Sequence, residues 1–215
     1  MSPLTVVALV LYLLARSGEG VRSINLDRWR WRMDLSLLFP VFWLLEMAAL
    51  VGGGYVIALL GIHGYHPIGP EGIPRLAVAT VNMASSINAG IVEEIVVLGY
   101  LVRRLEQRGY SGSLIVLLAV VVRVSYHLYY GWGALAIAIW ALASVLLYRR
   151  VRRLWPFIIC HCAYDAALSL LHTYSDALVL FSLVMFLSSV TFMVIWGGWV
   201  AERNPPDVEP RSSWP

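Results

Sequence analysis

The chain reads as an all-α, polytopic bundle of about seven transmembrane helices, and three observations carry that reading. Of its 215 residues 60% are hydrophobic and 13% charged, against the ~25% charged residues of a typical soluble domain. Apolar residues gather into runs approaching the ~20 residues that a membrane-spanning helix needs. Every second connection between those runs is rich in arginine. Residues 16–32, 103–108, 149–153 and the C-terminal tail hold fourteen of the sixteen arginines, and lysine is absent.

Taken in order, residues 3–15 form a short first span. It lacks the charged start and small-residue cleavage site of a signal peptide. Residues 22–34 alternate Arg28, Arg30 and Arg32 with Trp29 and Trp31, a pairing suited to the headgroup layer. Longer runs at 35–62, 76–101, 114–130, 134–148, 155–171 and 177–200 supply the remaining spans. The tail, 202–215, is polar and Pro-rich and is expected to be mobile. By the positive-inside rule the arginine-rich loops and the C-terminus are cytoplasmic, in a multi-pass protein of the cell membrane. One domain, 1–215, is expected, with its polar residues concentrated at about 76–171.

This composition excludes several function classes. No basic surface is left for nucleic acid once the arginines are placed at membrane edges, where they meet lipid headgroups. Cys160 and Cys162 flank His161 in an apolar run and imply no disulfide framework. Adjacent helical positions point about 100° apart, so these three residues cannot share one ion from a regular helix.

Seven ionisable residues nevertheless fall inside the apolar runs: Glu46, Glu93, Glu94, Arg123, His127, His161 and Asp165. Each costs roughly 2.5–3.5 kcal/mol at mid-bilayer on insertion scales. The runs 76–101 and 114–130 should form an antiparallel hairpin turning near Gly109 and Tyr110. Residues equidistant from that turn face each other, which sets Glu93 level with His127. Arg123 then lies opposite Leu98, one turn from Glu94, close enough to offset that buried carboxylate. His161 and Asp165 share one face at i, i+4 of a third helix. Such a set suits hydrolysis. Glu93 takes a proton from water, His127 shares it, and hydrogen-bond donors stabilise the oxyanion. An ionised Asp165 can only accept hydrogen bonds, so it either orients His161 or is itself protonated.

The motifs Glu93-Glu94-Ile95-Val96-Val97-Leu98, Arg123-Val124-Ser125-Tyr126-His127 and His161-Cys162-Ala163-Tyr164-Asp165 resemble those of the CAAX protease and bacteriocin-processing enzyme family. That family includes the type II CAAX prenyl endopeptidases and the Abi proteins. Its pattern is Glu-Glu-x-x-x-Arg, Phe-x-x-x-His and His-x-x-x-Asn or Asp, and the run Leu154–Pro156 is also typical of it. Two departures stand out: Leu98 replaces the motif arginine and Arg123 the motif phenylalanine.

The resemblance implies an intramembrane endopeptidase acting on a membrane-associated or lipid-modified peptide or protein. Glu93, Glu94 and His127 would be catalytic, with His161 and Asp165 at the oxyanion positions; the hairpin spacing, not the resemblance, makes Arg123 the charge partner of Glu94. No cofactor is expected; the alternative is a divalent metal such as zinc held by Glu93, His127 and His161. Two rival functions stand beside this one. The first is a non-catalytic binding or immunity protein of the same fold. The second is a proton-coupled transporter, which would need polar residues continuing to both membrane faces.

Overall fold

A computed structural model describes residues 3–26, 34, 36–38, 41, 44–45, 59, 61 and 72–174, the side chains at 3, 168 and 170–174 excepted. Among these every regular element is helical. Helix α1, Pro3–Arg16, carries Arg16 in its last turn, where a cation suits the negative end of the helix dipole. A single 3₁₀ turn follows at Val21–Ile24, closed by Asn25 at a left-handed φ of 59°. Asn25 Nδ2 then donates to Tyr148 Oη at 3.0 Å, tying this turn to a helix far along the chain.

Helix α2 is a rod of 33 residues, Arg75–Gln107. It is regular over Arg75–Glu94, widens into a π-helix over Ile95–Leu101, and resumes as α-helix at Val102–Gln107. Within the wide turn the Val102 N–H reaches back five residues to the Val97 carbonyl. Such i→i+5 segments are rare and recur at functional sites. Gly109, at φ 74°, makes the turn out of α2. Ser111 caps the next helix by accepting from the Leu114 N–H.

Helix α3 covers Gly112–Ser125 and is followed by a 3₁₀ segment, Leu128–Gly133, kinked at Gly131 (φ 61°, ψ −136°). Helix α4, Ala134–Val151, returns alongside α3. Arg152 ends it at φ 54°. Helix α5, Trp155–Tyr174, begins with Pro156 in its first turn, where a missing N–H is harmless.

The apolar core lies towards the end of the bundle that carries the arginine-rich connections. Ile24, Val97, Leu98, Val102, Ile115, Ala119, Val145, Tyr148, Leu154 and Phe157 are all buried there. The largest helix–helix interface joins α2 to α5. It closes to backbone contact at Gly90, where an added Cβ would stand 2.7 Å from the Cys162 nitrogen. Ser86 and Ser169 share a hydrogen bond across the same seam at 2.8 Å. Small and hydroxylated residues of this kind let apolar helices approach in lipid.

Two helical stretches among the described residues, Arg75–Gln107 and Leu128–Val151, are long and apolar enough to cross a membrane. The count of seven spans is therefore not established. Helices α1 and α3, at 14 residues each, reach about 21 Å, short of a ~30 Å hydrocarbon layer. The run 114–130, expected as one helix, stops at Ser125. Tyr126 keeps a right-handed backbone with ψ near zero, His127 leaves helical geometry, and its ring turns back on the last turn. Glu46, most of the runs at 22–34 and 35–62, the run at 177–200 and the tail at 202–215 lie outside the described residues.

Candidate active site

The tandem acids at the end of the regular part of α2 occupy different surroundings, because neighbouring helical side chains diverge by about 100°. Glu94 is fully buried, whereas Glu93 retains 16% of its side-chain exposure. Only Glu93 is open to a reactant.

Glu94 sits between two basic side chains from two other helices. His161 Nδ1, on α5, lies 2.7 Å from Oε1, and Arg123 Nη2, on α3, lies 2.9 Å from Oε2. The hairpin geometry expected from the sequence thus brings Arg123 to Glu94. The arginine contact has the length of a hydrogen bond but not its alignment. Among the described residues, Glu94 Oε2 and the Nε, Nη1 and Nη2 atoms of Arg123 have no aligned hydrogen-bond partner. The attraction is therefore that of an ion pair. The second nitrogen of His161, Nε2, stands 3.4 Å from Asp165 Oδ2. A carboxylate thus faces each edge of the imidazole, which makes His161 a link between two acids. Trp140, from α4, packs edge-on against that ring, with centroids 6.4 Å apart.

Glu93 belongs to a second, more open group. Tyr126 Oη donates to Glu93 Oε2 at 2.9 Å, and His127 Nε2 stands 3.9 Å from Glu93 Oε1. His127 lies just past the end of α3, and its Nδ1 is 2.8 Å from the Arg123 carbonyl oxygen. A carbonyl only accepts, so Nδ1 carries a hydrogen and donates it. In the neutral ring this leaves Nε2 with its lone pair turned towards Glu93. The 3.9 Å gap is too long for a direct hydrogen bond, and suits a small bridging group. The rings of Tyr126, Tyr129 and Tyr130 surround His127, at centroid distances of 4.6, 6.0 and 6.0 Å.

The six residues singled out from the sequence in α2, α3 and α5 thus fall into two adjoining groups. One holds Glu93 and His127. The other holds Glu94, Arg123, His161 and Asp165. Tyr126 and Trp140 escaped the sequence reading. The motif spacing passed over Tyr126 because its side chain reaches Glu93 only where α3 unwinds. Trp140 has no polar neighbour in sequence to mark it.

Each flanking cysteine turns from His161 to a backbone carbonyl: Cys160 Sγ to Leu38 at 3.1 Å and Cys162 Sγ to Ile87 at 3.2 Å. Among the described residues no three His, Cys, Asp or Glu side chains are placed to hold a metal ion. His127 faces Glu93, while His161 presents its two nitrogens to Glu94 and Asp165 on opposite sides. The alternative of one ion shared by Glu93, His127 and His161 does not fit this arrangement.

Residues 75–167 match the model of a family described as Type II CAAX prenyl endopeptidase Rce1-like. The matched segment contains every residue of both groups, and this is the family that the three motifs resemble. No curated protein and no solved structure matches the chain.

Proposed function

From a segment, 75–167, that carries the type II CAAX prenyl endopeptidase family match, we propose that this protein is an intramembrane endopeptidase. It hydrolyses a peptide bond in a membrane-associated or lipid-modified substrate, of the kind carrying a CAAX-like C-terminus. The observation that carries the reading is the partly exposed Glu93 facing Nε2 of His127 across 3.9 Å.

In this mechanism a water held between Glu93 and His127 attacks the scissile carbonyl carbon as Glu93 takes its proton. The tetrahedral oxyanion collapses, the C–N bond breaks, and the proton passes to the leaving amine with help from His127. The fixed Nδ1–H donation to the Arg123 carbonyl holds the imidazole in the tautomer this requires. Glu94, Arg123, His161 and Asp165 form a buried charge network behind the reacting pair. With both ring nitrogens turned to acids, His161 acts by shaping the field around the substrate carbonyl more than by direct donation to it. No step passes through a metal.

The arginine-rich segments meet at one end of the bundle, in keeping with a cytoplasmic face there. Arg104 joins Glu19 at 2.8 Å, while Glu106 takes Arg149 at 3.1 Å and Arg152 at 2.6 Å.

The test uses full-length protein in lipid vesicles with a farnesylated CAAX-type peptide. Wild type should cleave it, and Glu93→Gln or His127→Ala should lower kcat about 10²–10⁴-fold. Chelator should leave the rate unchanged. Cleavage that survives Glu93→Gln would turn the reading towards a binding protein of the same fold.

A further inference from the structure

The end of α3 sends two consecutive side chains to one carboxylate. Tyr126 closes the helix at φ −83° and ψ −2°, and His127 follows at φ −101° and ψ 6°. Had the helix continued regularly, these neighbours would point about 100° apart. Unwinding there lets Tyr126 take Oε2 of Glu93 at 2.9 Å while His127 faces Oε1 at 3.9 Å. The two oxygens are thus divided, one held and one left towards the imidazole. The Tyr126 ring is itself braced against that of His127, at 4.6 Å between centroids.

We propose that Tyr126 is a positioning residue for Glu93. Its hydroxyl pins Oε2 so that Oε1 stays aimed at the space before His127 Nε2. A glutamate otherwise turns broadly about its terminal torsion, and misplacing a reacting group by about 1 Å can cost on the order of 10²-fold in rate. The claim rests on the hydrolytic reading of Glu93 above. Tyr126 touches the base and makes no contact with the scissile bond, so its loss should lower turnover more than substrate affinity.

The experiment uses the full chain in phosphatidylcholine–phosphatidylglycerol vesicles with an internally quenched, farnesylated CAAX-type peptide. Tyr126→Phe, which keeps the ring and removes the donor, should lower kcat about ten-fold while KM moves less than about two-fold. Replacing Tyr126 by 4-aminophenylalanine restores an N–H donor at the same place and should recover most of that loss. Replacement by 4-methoxyphenylalanine, with no donor, should not. Unchanged kcat in Tyr126→Phe, or equal rates in the amino and methoxy variants, overturns the proposal.

A melting-temperature cycle on Tyr126→Phe, Glu93→Gln and their combination reads the contact without turnover. Non-additive shifts are expected, and additive ones count against the contact. Wild type that leaves the peptide intact fails the hydrolase reading itself, while active wild type with an unaffected Tyr126→Phe fails only the role of Tyr126.

Discussion

Leu98 stands where the resembled motif carries an arginine, and Arg123 where it carries a phenylalanine. Leu98 is fully buried in the apolar core, one turn beyond Glu94, and Arg123 approaches Glu94 from α3 instead. A guanidinium therefore still faces Glu94 although two of the three motifs depart from the pattern. Removing Arg123 alone leaves Glu94 buried against His161 only. Arg123→Phe should accordingly cost about 3–5 kcal/mol of stability, the usual penalty for stranding one buried charge. Leu98→Arg alone should also destabilise, because it puts a second guanidinium into packed apolar surroundings. The two together should be better than their sum, and thermal melting of the four proteins checks this. A strictly additive double variant would mean that the residues do not substitute for each other. The Arg123–Glu94 pair was legible in the sequence because equidistance from a hairpin turn is simple arithmetic. The link from Glu94 to His161 was not, since nothing in the spacing says how α5 is rotated against α2.

Among the elements, the interface between α2 and α5 decides whether His161 reaches Glu94. Gly90 stands one turn before Glu94, pressed against the backbone of Cys162, which follows His161. Gly90→Ala would thrust a methyl into the Cys162 nitrogen at 2.7 Å, and backbone on both sides must then move. We expect roughly 1–3 kcal/mol of lost stability, the common cost of overpacking, with a matching loss of cleavage as His161 withdraws. Ser86→Ala on the same helix removes the hydrogen bond to Ser169 without crowding, and should be milder, ~0.6 kcal/mol. Comparing the two melting temperatures separates steric from polar contributions. Helix boundaries show how far pattern reading extends. Apolar runs located α2, α4 and α5 closely, since long stretches of one polarity leave little choice of conformation. They missed the π-helical turn at Ile95–Leu101 and the early end of α3 at Ser125. Both depend on which backbone bond forms against the packed neighbour, and apolar residues are equally content either way.

At the scale of the whole molecule, polar contacts close the arginine-rich end of the bundle. Gln107 donates to Glu19 Oε1 at 2.7 Å and Arg104 to the same oxygen at 2.8 Å, joining the segment after α1 to the end of α2. The Gln107 hydrogen bond and the Arg104 charge hold the Glu19 carboxyl below the ordinary carboxylate range, with burial opposing them. A carboxylate whose folded pKa is depressed adds stability that is complete above its unfolded value and is lost as pH falls through the folded one. Melting temperature should thus decline on acidification below the ordinary carboxylate pKa, and Glu19→Gln should flatten that part of the profile by a small amount, as befits a surface pair. An unchanged profile would mean the contact contributes nothing. On the inner side Arg153 clamps the buried Asp34 through two hydrogen bonds, at 2.7 and 2.6 Å. From the sequence alone, Asp34 falls at the end of an interfacial stretch. The sequence by itself determined the helical class, the apolar character of the helices and the ionisable residues that meet between them, because burying charge in apolar helices is costly enough to make each such residue conspicuous. Only the tertiary structure decided which acid is open and which is enclosed, and that His161 bridges Glu94 and Asp165. Those outcomes follow from helix rotation and local unwinding, which differ by little energy along the chain and are settled by packing between helices.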